Sequence, residues 1–367
     1  MSKQDRCSIK TSIGGQALME GIMMRGPKRS AMAVRNPRGE MVIEEWDTQY
    51  TARNKFCKLP IIRGVFGFID SMSGGYKCLM RSAEISGLEE LEEQERREKQ
   101  EKKLAKQAKK QGKTVEELKA ELEAAKQETS ETDREDQEIA PEDTNKEGAK
   151  DKKSPMMTVV MVLSIVLAVV LMVGLFIMMP TFLYEGVLES YVPGFPKDNR
   201  YLQSVFEGVL RVALLIGYMA LMTLMKDIRR TFMYHGAEHK TIFCYEAGLE
   251  LTVENVKKQK RFHPRCGTSF LMLMVLVSIF IGFLIPPTLH KLVRMAIKIL
   301  LVPVIMGIGY ELIKLCGKHD NWLTRAIAAP GKWFQRITVL EPDDGMIECA
   351  IAAIQKAIPD DGSDKIG

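Results

Sequence analysis

The sequence predicts a mainly α-helical, polytopic membrane protein: about four transmembrane helices, a small cytoplasmic α+β domain before them and a short cytoplasmic helical region after them. Apolar runs close to the roughly 20 residues that a helix needs to cross a bilayer begin after residue 155. Charged residues make up 27% and hydrophobic residues 46%, and the two classes are segregated along the chain. Such segregation is typical of membrane helices joined to soluble parts.

Composition also excludes several classes of protein. The net charge of +5 comes without a basic, aromatic-rich patch, so no specific nucleic-acid recognition is expected. Seven scattered cysteines, an odd number, do not form a disulfide framework and are typical of reduced thiols facing the cytosol. The polar N-terminus does not resemble a secretory signal peptide.

Residues 1–82 are predicted to form the α+β domain. Two short apolar runs, 31–35 and 41–46, flank the turn sequence NPRG at 36–39, which predicts a β-hairpin. Apolar residues then recur at helical spacing from Ile62 to near Arg81. This helix is too polar to span, and we expect it to lie against the membrane surface.

Residues 83–153 are predicted to be a charged tether. The stretch 88–127 is rich in Glu, Lys and Gln and suits a solvated helix, whereas 128–153 is polar, acidic and expected to be disordered. A partner-binding coiled coil is the alternative interpretation, although the apolar heptad is thin.

Residues 154–316 are predicted to form the transmembrane domain, with spans at about 156–179, 205–226, 268–289 and 292–315. The last two spans form either a tight hairpin or a pair in which one is re-entrant. Lys and Arg concentrate before the first span and between the second and third, whereas the connection 180–204 holds only Lys197 and Arg200. The positive-inside rule therefore places both termini and the polar segment 227–267 on the cytoplasmic side of the membrane.

The cytoplasmic C-terminal region, 317–367, is predicted to contain a helix from about Gly345 to Ala357. Acidic residues at its start suit a helix N-terminus.

The most informative motif is H-x-x-E-H in the polar segment, formed by His235, Glu238 and His239. We predict a helix from Ile228 to Ala247 that continues out of the second span, and it would place all three side chains on one face. Two imidazoles at i and i+4 can bind one divalent metal, for which zinc is the first choice. The carboxylate between them can act as a general base toward water, as in the metalloproteases that carry this inverted motif.

A catalytic zinc needs a third protein ligand. Glu246 lies about 10 Å along the helix from His239 and cannot reach the same ion. His263 and Cys266, three residues apart just before the third span, are better candidates. A distant carboxylate such as Glu20 or Asp343 is a further alternative. Against all of these stands a non-metal interpretation, in which the histidines are interfacial residues bonded to lipid headgroups or to a neighbouring domain.

Four motifs carry a resemblance to a known family: GGQALMEGIMMR (14–25), YHGAEHK (234–240), HPRCGT (263–268) and EPDD (341–344). In these the chain resembles the YqhQ-like family of bacterial membrane proteins over about 9–82 and 155–357. The family is one of unknown function that is often described as metal-dependent enzymes, a description that rests on the motif itself. The resemblance implies that Glu20, Arg25, Asp343 and Asp344 join the site.

Two functions remain open from the sequence. The first is a metal-dependent hydrolase at the membrane surface, with Glu238 as base, His235 and His239 as metal ligands and His263 or Cys266 completing the site. The second is a non-enzymatic assembly or accessory factor that lies in the lipid bilayer and binds membrane proteins, translocation components or ribosomes. A transporter is less well supported, because intramembrane charges are few and no repeat is visible.

Overall fold

The computed structural model describes residues 9–48, 57, 59–87, 155–188, 191–192, 199–286, 288–319 and 321–366. The chain divides into two compact units, residues 1–86 with 166–367 and residues 87–165. Of the second unit the structure describes only Gly87 and the start of one helix. Most of the predicted tether, including its coiled-coil alternative, lies outside the described residues.

The larger unit contains a four-stranded antiparallel meander in the order β2–β3–β4–β5. Its strands are β2 (Gly14–Leu18), β3 (Gly21–Arg25), β4 (Arg29–Arg35) and β5 (Met41–Asp47), preceded by the short β1 (Lys10–Thr11). The predicted hairpin is confirmed, because Arg35 pairs with Met41 and Arg29 pairs with Asp47. Gly39 closes the turn at a φ of +83°, a conformation that glycine adopts readily.

Both faces of this sheet are covered by helices. Helix α1 (Ile62–Ile85) packs on one face, where Cys78 joins the sheet residues Leu18 and Met32. On the other face lie three helices from later in the chain, α5 (Lys226–Glu246), α6 (Val253–Lys257) and α11 (Asp344–Ala357). The sheet is thus the middle layer of an α/β/α sandwich assembled from both ends of the sequence.

Helix α1 also contacts the membrane helices. Its first turns pack against α9 (Val302–Lys318), where a Cβ on Gly64 would lie 2.7 Å from the Tyr310 side chain. Arg63 and Glu311 form a two-point ion pair at the same contact, with Nε to Oε1 at 2.6 Å. The predicted helix is confirmed, and it connects the sandwich to the membrane part.

Three helices are long and apolar enough to cross a membrane: Val166–Leu188, Arg200–Met222 and Leu292–Lys318. These observations support a membrane protein. The first begins in α2 (Pro155–Val173) and continues through a π-helical stretch (Gly174–Met178), α3 (Met179–Phe182) and a second π-helical stretch (Leu183–Leu188). The second is α4 (Arg200–Met222), and the third comprises α8 (Lys291–Leu300) and α9.

The predicted count of four spans is not confirmed. The expected third span, 268–289, is α7 (Gly267–Gly282), which has 16 residues and ends before Pro286. At 1.5 Å per residue it is about 24 Å long, less than the roughly 30 Å of bilayer hydrocarbon.

One further expectation needs correction, and one helix was not predicted. Helix α5 does not continue out of the second span. Thr223–Met225 form a non-helical turn between α4 and α5, and after this turn α5 packs on the sheet. A helix that the sequence analysis missed, α10 (Trp322–Thr338), runs through Pro330 and Gly331. Gly331 lets α10 approach α7 closely, since a Cβ there would lie 2.7 Å from the Ser269 Cβ.

Candidate metal centre

Helix α5 presents His235 and His239 on one face, as their spacing predicts. Their rings lie edge to face with centroids 4.4 Å apart. Two other segments meet this face: the loop 258–266 that leads into α7, and the stretch 338–343 between α10 and α11.

Both imidazoles are oriented by backbone carbonyls. The Nδ1 of His235 lies 3.0 Å from the carbonyl oxygen of Thr338, and the Nδ1 of His239 lies 2.6 Å from that of Arg261. A carbonyl only accepts, so each ring carries its proton on Nδ1 when neutral and leaves Nε2 as the metal-binding atom. Metal-binding histidines commonly show this arrangement.

Cys266 supplies the third potential ligand. Its Sγ lies 3.0 Å from Nε2 of His235. It is the N-cap residue of α7, where Sγ also accepts a hydrogen bond from the Thr268 backbone N–H at 3.4 Å. The candidate ligand atoms of His235, His239 and Cys266 all lie within 4.8 Å of one another.

The charges of this cluster are coupled. Burial alone raises the pKa of the Cys266 thiol, but the neighbouring His235 and His239 outweigh burial and hold it well below its usual value. Burial alone lowers the pKa of His235, but Cys266 and then Glu238 outweigh burial and raise that pKa to about 9. The two shifts favour the charged pair, a thiolate beside an imidazolium, over the neutral thiol and imidazole.

Glu238 lies between the two histidines in sequence and is 6% exposed. Burial raises its pKa, and the opposing effect of His235 and His239 is smaller. Its side chain lies against strand β2, where a Cβ on Gly15 would be 2.8 Å from Cγ and Cδ of Glu238. Glycine at position 15 is thus what lets the carboxylate approach the sheet.

A second glycine sets the packing of the site. A Cβ on Gly236 would lie 1.9 Å from the carbonyl oxygen of Leu340. The backbone N–H of Leu340 donates to the Phe232 carbonyl at 2.9 Å, so the stretch 338–343 crosses directly over α5 at this point. This crossing places the Thr338 carbonyl on His235.

His263 lies beside the cluster but has other partners. Its ring centroid is 5.6 Å from that of His239, and its Nε2 is 3.8 Å from a carboxylate oxygen of Glu246. Burial and then the charges of His239 and Arg265 lower its pKa, against the opposing effect of the Glu246 carboxylate. Glu246 forms an ion pair with Arg265 and accepts from the Thr11 backbone N–H at 3.0 Å. His263 therefore adjoins the three-residue cluster without belonging to it.

The residues that the family resemblance adds lie elsewhere. Glu20 forms a two-point ion pair with Arg230, whose Nη2 is 2.6 Å from Oε2. Asp343 caps α11 by accepting from the Met346 N–H at 2.8 Å. Asp344 pairs with Lys257 at 2.5 Å, and both side chains are exposed. Arg25 ends β3, and none of the four belongs to the cluster of His235, His239 and Cys266 among the described residues.

A different acidic residue of the EPDD motif lies at the periphery of the site. Glu341 forms an ion pair with Lys240, whose side chain is 5% exposed, and its other oxygen lies 3.2 Å from Arg261. These contacts hold the stretch 338–343 (the crossing stretch) against α5 and against the loop 258–266, which contains the Arg261 carbonyl. Sequence spacing gives no signal for them, because the partners lie about 80 to 100 residues apart.

Comparison with known proteins gives two matches. A family model described as "Protein of unknown function (DUF1385)" matches residues 59–360. The protein described as "Uncharacterized protein YqhQ" from Bacillus subtilis (strain 168) is 28% identical over 354 residues, which cover 95% of this chain and 93% of that protein. No solved structure shows significant similarity to the chain.

Proposed function

Since this chain belongs to the YqhQ-like DUF1385 family, whose function is not defined, we propose that it is a membrane-embedded, zinc-dependent hydrolase. His235, His239 and Cys266 bind the ion, and Glu238 is the general base. One observation carries the proposal: the ligand atoms of these three residues lie within 4.8 Å of one another. We place the site on the cytoplasmic side of the bacterial plasma membrane, because Lys and Arg concentrate in that segment.

The donor set fits zinc. Zn–N bonds of about 2.0–2.1 Å and Zn–S bonds of about 2.3 Å put tetrahedral ligand atoms about 3.3–3.6 Å apart. The 3.0 Å between His235 Nε2 and Cys266 Sγ needs only a small outward movement to reach that separation. Two imidazoles and one thiolate are three protein ligands, which leaves a fourth position for water or substrate, as in catalytic zinc sites.

The residues around the ligands suit hydrolysis. Zinc would supply an acidic water and polarise a carbonyl or phosphoryl group. Glu238 is outside the three-residue cluster but within electrostatic reach of it. Burial raises the pKa of Glu238, which makes its carboxylate a stronger base, and its contact with strand β2 at Gly15 fixes its direction.

A second candidate is favoured by the burial of the site. His239 is 1% exposed, Cys266 is 7% exposed and Glu238 is 6% exposed. A closed site of this kind suits a structural zinc that joins α5 to the start of α7. The protein would then be an accessory factor in the membrane that presents its sandwich to protein partners, such as translocation or ribosomal components.

Metal analysis of the purified full-length chain tests the proposal. We expect about one zinc per chain, retained in His263→Ala and lost in His239→Ala and Cys266→Ser. Metal that is absent from the wild type, or that persists without Cys266, would refute the ligand set.

Glu238→Gln separates the two candidates, because it keeps the size of the side chain and removes the base. The hydrolase predicts that this variant retains zinc but fails to complement a deletion strain that shows a growth defect. The structural site predicts that it retains both zinc and complementation.

A further inference from the structure

A second group of charged side chains lies inside the membrane part, away from the metal centre. Glu207 and Arg211 are about 10 and 16 Å from the start of α4 at Arg200. The metal centre instead lies beyond the other end of α4, past Met222. Three further residues from the neighbouring helices complete the group, which we call the intramembrane cluster: Glu185, Arg294 and Lys298.

Glu207 is the centre of this cluster and is 2% exposed. Its carboxylate accepts from Arg211 at 2.8 Å and from Lys298 at 2.6 and 2.7 Å. The Thr181 hydroxyl donates to it at 2.9 Å. One carboxylate is therefore neutralised by two cations.

Arg294 and Glu185 form the second pair, and Gln203 joins the two pairs. The Gln203 amide donates to Glu185 at 2.9 Å and to Glu207 at 3.0 Å, and its carbonyl accepts from Arg294 at 2.9 Å. Arg294 is 6% exposed, and its Nε–H has no hydrogen-bond partner among the described residues. A buried donor left in this state is costly unless a ligand or water satisfies it.

The cluster carries unequal charge. It holds three cations, Arg211, Arg294 and Lys298, against two carboxylates, so its net charge is +1 among the described residues. An uncompensated charge in hydrocarbon costs several kcal/mol. The arrangement therefore favours a bound group with one negative charge.

Two cavities adjoin the cluster and differ in chemistry. The first has a volume of about 170 Å³; its charged lining residues are Glu207, Arg211 and Lys298, Ser204 and Ser278 add hydroxyl groups, and most of the other lining residues are apolar. At about 30 Å³ per water molecule it has room for a phosphate group. The second is an apolar groove of about 460 Å³ that runs from Gly174 to Gly186 and reaches the cluster at Thr181 and Glu185. It lies along the two π-helical stretches, a geometry that often marks functional sites.

We propose that the intramembrane cluster and the groove bind one molecule of an anionic phospholipid. Arg211 and Lys298 bind the phosphodiester in the smaller cavity, and an acyl chain lies in the apolar groove. A cavity with two cations against one carboxylate, beside an apolar groove, matches the two parts of such a molecule. The inference does not depend on the metal centre.

Gly174→Leu is the variant that tests this site. A Cβ at Gly174 would meet no atom within 4 Å, so leucine fills the groove without a clash and leaves every charge in place. Gly217→Leu is the matched control, because Gly217 also meets no atom within 4 Å and lies exposed on α4. Each chain is purified at full length in mild detergent, and native mass spectrometry counts the retained lipids.

We expect one retained phospholipid per chain in the wild type and in Gly217→Leu, and at least a tenfold lower occupancy in Gly174→Leu. Delipidated wild type should gain thermal stability with added phosphatidylglycerol, but not with phosphatidylcholine or inorganic phosphate. A wild type without lipid, or equal occupancy in Gly174→Leu, would overturn the proposal. An equal effect of phosphatidylcholine would refute charge recognition, and an effect of inorganic phosphate alone would assign a free anion instead of a lipid.

Discussion

Replacing Gly236 by alanine should damage the metal centre without touching a ligand. The new Cβ would lie 1.9 Å from the Leu340 carbonyl oxygen, and ordinary contact begins near 3.4 Å, so the crossing stretch must move by about 1.5 Å (3.4 − 1.9). A movement of that size would break the 3.0 Å contact between the Thr338 carbonyl and His235 Nδ1. It would also break the hydrogen bond from Leu340 N–H to the Phe232 carbonyl.

The free-energy terms can be set against one another. Overpacking costs about 1–3 kcal/mol, and the lost backbone hydrogen bond costs about 1 kcal/mol. Replacing glycine by alanine inside a helix stabilises the helix by about 1 kcal/mol, which offsets part of these costs. Gly236→Ala should therefore lower the free energy of unfolding by about 1–3 kcal/mol. Loss of the group that orients His235 should weaken zinc binding by about 10- to 100-fold.

Zinc affinity is measured by competition with a chromophoric chelator, and stability is measured by denaturant unfolding in detergent. Gly217→Ala serves as the control, because a Cβ there meets no atom within 4 Å. That variant should keep the zinc affinity of the wild type and show equal or higher stability. If Gly236→Ala binds zinc as tightly as the wild type, the proposed dependence of His235 on the crossing stretch is wrong.

Three further predictions concern the same region. Because Cys266 and Glu238 raise the pKa of His235 to about 9, zinc must displace a proton from that imidazole, so zinc affinity should rise between pH 7 and pH 9. Competition with a chelator at several pH values measures this dependence, and an affinity that does not change with pH over this range would contradict it. Gly15→Ala should lower unfolding free energy by about 1–3 kcal/mol through its clash with Glu238 while zinc is retained; zinc loss would show that Gly15 supports the ligands themselves. Asp343→Ala should lower the free energy of unfolding by about 1 kcal/mol, because α11 loses its N-cap, and should leave the zinc content unchanged. If this variant contained no zinc, Asp343 would have to be counted among the residues of the metal site.

Local sequence patterns predicted the parts of the fold that depend on local interactions. The hairpin followed from a turn sequence between two apolar runs, and α11 followed from acidic residues before an apolar stretch. The i, i+4 spacing of His235 and His239 also placed both rings on one face of α5. In each case the deciding contacts lie within a few residues of one another.

The sequence failed where distant packing decides the structure. Pro330 and Gly331 usually mark a turn, yet α10 runs through them because it packs closely on α7 at Ser269. An apolar run from 268 to 289 predicted a third span, but the helix α7 within it ends at Gly282, so this span is not confirmed. The sequence offered both His263 and Cys266 as ligands; among the described residues Cys266 lies with His235 and His239, whereas His263 lies 3.8 Å from Glu246, 17 residues earlier in the chain.

The carbonyl groups of Arg261 and Thr338 orient the two imidazoles, and every amino acid provides a carbonyl. For ring orientation alone, the side chain at either position is therefore interchangeable. The length of each loop is constrained, because one inserted residue moves the carbonyl by up to about 3.5 Å. Across relatives, the mark of this constraint would be fixed spacing from residue 261 to Cys266 and from residue 338 to Glu341, with free variation of the residue types at 261 and 338.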